Sequence, residues 1–349
     1  MNLNPIINNF QRPIRKVQIC CILIFSCAAC SLNIPYDNQY SDPDAITTVT
    51  AARELLASAY DAIPKPEFSL SVLSDDFQPT FLINLNADLN NLYKWHPKPM
   101  EDLSNSLWEK YYSAIAIANT VLERIHYVSP ISDSDKQELQ CIVSEAKTLK
   151  AYCYFNLLRL FAPTYPEGPE KDGIILKEQF ELAFLKRSSI SECVNAIRQL
   201  LTEAVTVDNR PSQVYWFSRQ SAYYLLAALE LYAENYDKAE EYALKILSST
   251  NAYDVLAPVH YKKLWEQEPC EECIFSLHTT NSYYTDMNYE RKKGDYFTIN
   301  STLTQLYAAN DIRYEATVYP QEMPGESIGE TLPVLYLGKY NKQNWNYKP

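Results

Sequence analysis

A short stretch in the first third of the chain combines flat aromatic rings with carboxylates and an amide. In chain order it contains Asp75, Asp76, Asn91, Tyr93 and Trp95. Sugars present flat C–H faces, on which aromatic rings stack, and hydroxyl groups, which carboxylates and amides bind. These residue types therefore predict a surface that holds a saccharide, with Trp95 as the best candidate. The simpler alternatives are that Trp95 anchors a loop by packing and that Asp76 caps a helix or turn.

A second group of aromatic residues lies in residues 279–298, which have the composition of a loop. Its candidates are Tyr283, Tyr284 and Tyr296, and we predict that they line the opposite side of the same site, because loops often carry binding residues. Other aromatic residues recur at helical spacing and are predicted to pack in the core instead: Tyr111, Tyr152, Tyr154, Phe155, Tyr223 and Tyr242.

Catalysis is not predicted. Glycoside hydrolysis needs two carboxylates at a defined separation, and no pair of the many acidic residues can be given one from sequence. The 4 histidines show neither metal-binding spacing nor a neighbouring nucleophile motif. Cys270 and Cys273 have a metal-like spacing, but a zinc site needs four ligands and no second pair accompanies them. We therefore expect a binding protein with no enzyme activity, no cofactor and no metal site.

The charge balance narrows the class of ligand. The chain of 349 residues has 31 Lys and Arg against 43 Asp and Glu, which gives a net charge of -12. Nucleic-acid binding needs clustered cations to neutralise phosphates, so this acidic balance argues against it. The 28 Tyr and 5 Trp indicate either helix packing or a surface on which ligands stack.

The N-terminal end has the features of a secretion signal. Arg12, Arg15 and Lys16 precede an apolar run over residues 17–29, which is shorter than the roughly 20 residues that span a bilayer. Small residues before Cys30 are similar to a bacterial lipobox, in which this cysteine is acylated. The alternative is an ordinary signal peptide with an incidental cysteine.

These features divide the chain into three parts. Residues 1–29 are predicted to be a signal peptide, and residues 30–45 a lipidated tether. Residues 46–349 are predicted to form one ligand-binding domain. Acylation of Cys30 would hold the domain at a membrane without any membrane-spanning helix.

The domain is predicted to be predominantly α-helical. Apolar periodicity predicts helices over 48–63, 106–127, 133–161 and 189–207, and a pair over 215–249. Asp133 is expected to cap the third helix, and Ser189 with Glu192 forms a capping box for the fourth. The pairs are similar to tetratricopeptide hairpins.

The remaining segments lack sustained periodicity. Residues 67–105 are predicted to be irregular and to form a loop-rich ligand-binding face. After residue 250, short strands are predicted at 273–278 and 332–340, with a short helix over 299–309. The fold class is thus tetratricopeptide-like helix pairs with a loop-rich ligand-binding face and a few short strands.

Five motifs in order resemble the SusD/RagB family of outer-membrane nutrient-binding lipoproteins. They are Cys30, the helix end 59–63 (AYDAI), the Trp-to-Asn helix 108–119, the helix 145–157 (EAKTLKAYCYFNL) and the turn 235–239 (NYDKA). The fourth is similar to the family's EAKFLRAYYYFNL helix, with Lys150 where Arg is common. Members usually continue beyond the point where this chain ends, so its C-terminal part is expected to be short or truncated.

This resemblance implies a function and a location. It implies a surface-exposed lipoprotein of the outer membrane that captures oligosaccharide and delivers it to a TonB-dependent transporter, without catalysis. It also implies that ligand contacts fall near residues 75–95. The alternatives are a peptide-binding or protein-interaction repeat scaffold on the outer membrane and, less favoured, a glycoside hydrolase.

Overall fold

The computed structural model describes residues 46–178, 184–249, 261, 263, 265, 273–278, 296–327, 329–337 and 347–348. The predicted signal peptide, the tether and Cys30 lie outside these residues. The helices are α1 Val49–Ala62, α2 Glu67–Leu73, α3 Ala87–Tyr93, α4 Pro97–Arg124, α5 Asp133–Phe161, α6 Ile190–Ala204, α7 Arg219–Tyr232, α8 Tyr236–Leu247, α9 Ser301–Thr304 and α10 Ile312–Thr317. The strands are β1 Phe77–Pro79, β2 Leu277–His278, β3 Phe297–Ile299, β4 Val318–Pro324, β5 Thr331–Leu337 and β6 Tyr347–Lys348.

The long helices pack in chain order, which gives the helix-pair architecture. Helix α4 packs on α5, α5 on α6, α6 on α7 and α7 on α8, while α1 lies against α4 and α5. Leu56, Ile115, Leu149, Ile197 and Leu226 from successive helices are fully buried in one core. Burial of these apolar stripes is the main stabilising force. The predicted fold class, mostly helical with tetratricopeptide-like pairs, is confirmed.

Side-chain caps set where the long helices begin. The expectation that Asp133 caps α5 is wrong, because the cap is Ser132, whose hydroxyl accepts from the Asp135 backbone N–H at 3.1 Å. Asp135 in turn accepts from the Ser132 N–H at 3.3 Å. Asp133 is already helical, and its charge is favourable in the first turn. The capping box of Ser189 and Glu192 at α6 is confirmed.

Residues 67–105 are not irregular, which corrects the sequence expectation. They contain α2, β1, a 3-10 turn at Phe81–Leu85 and α3, and α4 begins at Pro97 rather than near residue 106. Helices α2 and α3 have seven residues each and bury only Val72 and Leu92, respectively. Seven residues are too few for an apolar stripe to recur, so periodicity does not reveal them. The fixed φ of proline suits the first turn of α4.

The C-terminal region also departs from expectation. The short helix predicted over 299–309 is present but has narrower bounds, because Ile299 ends β3 and only Ser301–Thr304 is helical. Strand β3 pairs antiparallel with β1, and Phe77 lies opposite Ile299. The predicted strand at 332–340 corresponds to β5, which pairs with the unpredicted β4. Of the strand predicted over 273–278, only Leu277 and His278 are extended. Pairing between residues this far apart leaves no mark in a local sequence window.

The helix end 59–63 and the helix 145–157, two of the sequence motifs, meet in a buried polar network. Glu145 of α5 accepts a hydrogen bond from Arg53 Nη1 at 2.8 Å and from the Tyr60 hydroxyl at 3.3 Å. Asn209 Nδ2 donates to its other oxygen at 3.3 Å, and the Phe217 N–H donates to the Tyr60 hydroxyl at 2.8 Å. Burial raises the pKa of Glu145, and the Arg53 guanidinium opposes that rise. The network ties α1 to α5 and to the segment that leads into α7.

Candidate ligand-binding face

Trp95 occupies an unusual backbone position at the end of α3. Its N–H donates to the Leu92 carbonyl at 2.9 Å, and the His96 N–H donates to the Asn91 carbonyl at 2.9 Å. These two bonds form a Schellman motif, whose left-handed residue is usually glycine. Trp95 takes that position with a φ of 56°. A bulky residue in this region costs free energy, and such strain tends to be found where function requires a particular side chain.

The indole of Trp95 faces solvent. The residue is 61% exposed, so the alternative of a loop-packing anchor is not met. It stands between the last turn of α3 and the first turn of α4, where His96 is the N-cap. Two backbone hydrogen bonds and the proline-initiated helix fix this junction. An exposed ring on a rigid support can stack on a ligand without first having to be ordered.

Tyr93 lies two residues before Trp95 and belongs to a small aromatic cluster. Its ring centroid is 5.8 Å from that of Phe297 in β3. Phe297 stacks on Phe77 of β1 at 5.9 Å and meets Phe68 of α2 edge-on at 6.3 Å. Tyr93 is half-buried, so part of its surface supports the cluster and part remains accessible. Separations of this size are those at which aromatic pairs attract one another.

Asp75 and Asp76 are exposed in the turn between α2 and β1. The Asp76 N–H donates to the Ser74 hydroxyl at 3.2 Å, and the Asp76 carbonyl accepts from the Asn300 N–H at 2.9 Å. The Asp76 carboxylate makes no hydrogen bond with any residue that the structure describes, so the capping role falls to Ser74. Both carboxylates are therefore free to accept hydrogen bonds from ligand hydroxyls.

The structure joins the two groups of candidate residues through the β1–β3 pair. The carbonyl of Tyr296 accepts from the Thr80 N–H at 2.9 Å, next to the paired residues Pro79 and Phe297. Tyr296 is half-buried and adjoins the ring that contacts Tyr93. Asn91 is also half-buried, in the last turn of α3. Tyr283, Tyr284 and Cys270 lie outside the described residues.

Asp76, Tyr93 and Tyr296 thus belong to a single structural unit, to which Trp95 is joined through α3. We call this set, with Asp75 and Asn91, the aromatic face. An exposed indole, two half-buried phenol rings and exposed carboxylates are side-chain types that bind the C–H faces and the hydroxyls of sugars. The unit is built from short helices and one strand pair rather than from the predicted loops.

The aromatic residues that recur at helical spacing lie in the helical core or against it. Tyr111, Tyr154 and Phe155 are buried in the core, as predicted, while Tyr152, Tyr223 and Tyr242 are partly buried against it. Cys141, Cys153 and Cys193 are free thiols. Across the described ranges, no group of three His, Cys, Asp or Glu side chains has the geometry to hold a metal ion. In the same ranges, no helix combines the length and apolar character required to cross a bilayer.

Sequence reasoning did not single out Tyr224 or Arg159. Both line a cleft of about 450 Å³ between α2, α5 and α7. Tyr224 is exposed on α7, and Arg159 lies in the last turn of α5. Helical spacing gave no signal for them, because an exposed position on a helix is usually a solvated one.

Comparison with known proteins places the chain among SusD-like proteins. The family described as starch-binding and associating with the outer membrane matches residues 34–231. The SusD-like protein P38 of Formosa agariphila is 25% identical over 232 residues, which cover 64% of this chain and 42% of that protein. The chain therefore spans less than half of this relative's length.

Solved structures share the fold. A SusD-like carbohydrate-binding protein from Bacteroides vulgatus superposes with a TM-score of 0.70 at 16% identity, covering 85% of this chain and 66% of that one. A laminarin-binding SusD-like protein superposes with a TM-score of 0.64 at 20% identity, covering 85% of this chain and 73% of that one. At these identities the likeness concerns the fold alone.

Proposed function

We propose that this chain binds glycan through the aromatic face and delivers it to a TonB-dependent transporter. The proposal starts from the family, since the chain belongs to the SusD-like starch-binding proteins that associate with the outer membrane. The observation that carries the binding proposal is Trp95. Its large ring is held exposed in a backbone conformation that favours glycine. Stacking of a sugar ring on this indole accounts for why the position carries a tryptophan.

The binding proposal is tested by affinity electrophoresis in gels that contain starch or laminarin. The wild-type protein is expected to be retarded, and Trp95→Ala to weaken the affinity for the polysaccharide about fivefold, since one stacking contact is worth roughly 1 kcal/mol. The control is Tyr127→Ala, which removes another exposed ring at the end of α4. Equal retardation of wild type and Trp95→Ala would refute the role of the aromatic face.

The laminarin-binding structural relative and the family's starch description both support a glucan as the ligand class. Asp75, Asp76, Asn91, Tyr93 and Tyr296 are proposed as contacts beside Trp95, with Tyr283 and Tyr284 as further candidates. The carboxylates accept hydrogen bonds from sugar hydroxyls, and no bond in the glycan is broken. Incubation of the protein with the bound glucan should release no shorter products.

The anchor proposal concerns Cys30. Acylation there would hold the protein at the outer membrane, facing the cell surface. In cells, Cys30→Ser should move the protein from the membrane fraction to the soluble fraction and abolish labelling by a palmitate analogue. If the Cys30→Ser protein stays in the membrane fraction and is still labelled by the palmitate analogue, lipidation at this residue is refuted.

The delivery proposal adds a partner. We expect a TonB-dependent barrel to copurify with the anchored protein, and Trp95→Ala to leave that copurification intact. This result also separates glycan capture from the alternative of a protein-interaction scaffold. The alternative is favoured by exposed leucines on α7 and α8, namely Leu231, Leu244 and Leu247. If Trp95→Ala loses glycan binding and still copurifies with the barrel, glycan capture is supported. If the wild-type protein copurifies with a partner protein and binds no glycan, the scaffold is supported.

A further inference from the structure

The cleft between α2, α5 and α7 has the composition of a ligand site. Its volume of about 450 Å³ lies in the range of small-molecule pockets. Its lining is mostly apolar, from residues such as Leu70, Phe155 and Leu225, with a few polar side chains among them. The cleft includes none of the residues of the aromatic face.

The cleft wall includes one tyrosine hydroxyl that forms no hydrogen bond with any described residue. Tyr111 is 1% exposed and lines the cleft, and its hydroxyl forms no hydrogen bond within the described part of the chain. Neighbouring tyrosines behave differently. The Tyr112 hydroxyl bridges the N–H and carbonyl of Ile175, and the Tyr154 hydroxyl bridges those of Lys177. Because Tyr111 lines the cleft, its hydroxyl is available to donate a hydrogen bond to a ligand and to accept one from it.

Other donors lie around the same cleft. Arg159 Nη2 donates to Asn156 Oδ1 at 2.7 Å, and the guanidinium lies 4.9 Å from the Phe155 ring centroid. Arg159 forms no ion pair in the described ranges, which leaves its other N–H groups available to a ligand. Burial raises the pKa of Tyr111 and of Tyr152, so both hydroxyls stay protonated at neutral pH and can donate.

A flat apolar surface completes the arrangement. Tyr224 of α7 lines the cleft and is 57% exposed. A saccharide ring needs one such face for its C–H groups and several donors and acceptors for its hydroxyls. An aromatic peptide side chain carries at most one polar atom and would leave most of these donors unused. Glu67 and Arg159 both line the cleft, so their charges offset each other and a neutral ring is favoured over an acidic one.

We propose that this cleft is a second saccharide site, which takes one neutral sugar residue with its ring against Tyr224 and its hydroxyls on Tyr111, Asn156 and Arg159. The proposal rests on the glycan-binding function proposed above and adds a site separate from the aromatic face. Two sites on one protein would hold a long glycan at two points and raise its retention well beyond that of either site.

The test is isothermal titration calorimetry of the protein with maltotriose and with laminaritriose. The wild type is expected to show two sites for one of these sugars. Tyr111→Phe should weaken one of them about three- to tenfold, the loss expected for one hydrogen bond. It should leave the melting temperature unchanged, because the hydroxyl forms no hydrogen bond in the part of the chain that the structure describes. Tyr224→Ala should weaken the same site, and Tyr236→Ala, a change at an exposed tyrosine outside the cleft, should weaken neither.

The outcomes separate this inference from the proposed function. If Trp95→Ala removes all binding while Tyr111→Phe and Tyr224→Ala bind as the wild type does, the cleft is not a saccharide site and the aromatic face stands. A fall in melting temperature for Tyr111→Phe, or displacement of sugar from the cleft by N-acetyltyrosine amide alone, would also overturn it. If the wild type binds no glycan in calorimetry or in gels, both proposals fail.

Discussion

Trp95 and Glu234 occupy the same backbone position at the ends of two different helices. Each has a positive φ, 56° for Trp95 and 59° for Glu234. Each helix end has the same pair of hydrogen bonds, since the Glu234 N–H donates to Leu231 and the Asn235 N–H to Glu230. Both residues therefore bear a conformational cost that glycine would avoid, although only Trp95 is assigned a ligand.

This equivalence predicts the outcome of replacing either residue by glycine. Trp95→Gly and Glu234→Gly should each raise the free energy of unfolding by about 0.5–1 kcal/mol, because glycine adopts a positive φ without a steric penalty. Urea unfolding measures this gain. Affinity electrophoresis should show glycan binding lost in Trp95→Gly and kept in Glu234→Gly. A Trp95→Gly protein that is more stable and still binds glycan would show that the indole is not a contact.

The buried Arg53–Glu145 pair predicts a strong, partner-dependent effect. Arg53→Met should lower the free energy of unfolding by about 2–3 kcal/mol, because Glu145 would remain buried without its compensating charge. Adding Glu145→Gln should restore part of this loss, since the uncompensated carboxylate is then gone. The exposed pair of Lys98 and Asp102 provides the control, and Lys98→Met should cost less than about 0.5 kcal/mol. Additive losses in the double variant would contradict the coupling.

Much of the helical frame could be predicted from sequence, because its signals are local. Helix α5 ends at Phe161 as expected, since a long apolar stripe is followed by prolines. The capping box of Ser189 is visible as two residues three apart. Helices α2 and α3 were missed because seven residues give too little periodicity to detect. The sequence pattern places Phe297 and Thr298 of β3 in a loop and Ile299 in a helix, because the partner strand β1 lies far away in the sequence.

The candidate site could be predicted only in part, because its details depend on hydrogen bonds that no local sequence pattern specifies. Residue type pointed to Trp95, but its positive φ depends on hydrogen bonds across the α3 terminus. Helical spacing placed Tyr111 and Tyr154 in the core, and both are buried. Spacing does not reveal that the Tyr154 hydroxyl has two backbone partners while the Tyr111 hydroxyl has none among the described residues. That difference depends on where residues 174–178 run, which no local pattern specifies.

Lys150 predicts a dependence of stability on pH. Burial lowers its pKa to about 8, against which the charges of Glu178 and Glu123 act only partly. Between pH 8 and 10.5 the unfolded chain holds a proton on Lys150 that the folded chain has released, so stability rises with pH there. Below pH 8 both states are protonated, and the folded state bears the full cost of a buried charge. This cost is present at neutral pH and fades as pH rises.

Replacing Lys150 by methionine should remove this dependence. Lys150→Met is expected to be more stable than the wild type by about 2–3 kcal/mol at pH 7, with the difference about 1 kcal/mol smaller at pH 9. Urea unfolding of both proteins at pH 7, 8 and 9 measures this difference in the free energy of unfolding. Other groups titrate in the same way in both proteins, so their effects cancel in the comparison. Parallel stability curves would show that Lys150 keeps an ordinary pKa in the folded protein.

The hydroxyls of Tyr112 and Tyr154 hold the segment 174–178 through backbone hydrogen bonds, and removal of either hydroxyl should loosen that segment selectively. The Tyr154 hydroxyl accepts from the Lys177 N–H at 2.8 Å and donates to its carbonyl at 2.7 Å. Tyr154→Phe leaves the Lys177 N–H without that partner, so we expect a loss of about 1–2 kcal/mol in the free energy of unfolding and faster amide exchange at Lys177. Tyr111→Phe removes a hydroxyl from the same core without breaking a protein hydrogen bond, so neither quantity should change. Hydrogen exchange and urea unfolding of the two variants test this contrast, and equal losses in both would show that volume or packing, rather than the two hydrogen bonds, governs the stability of the segment.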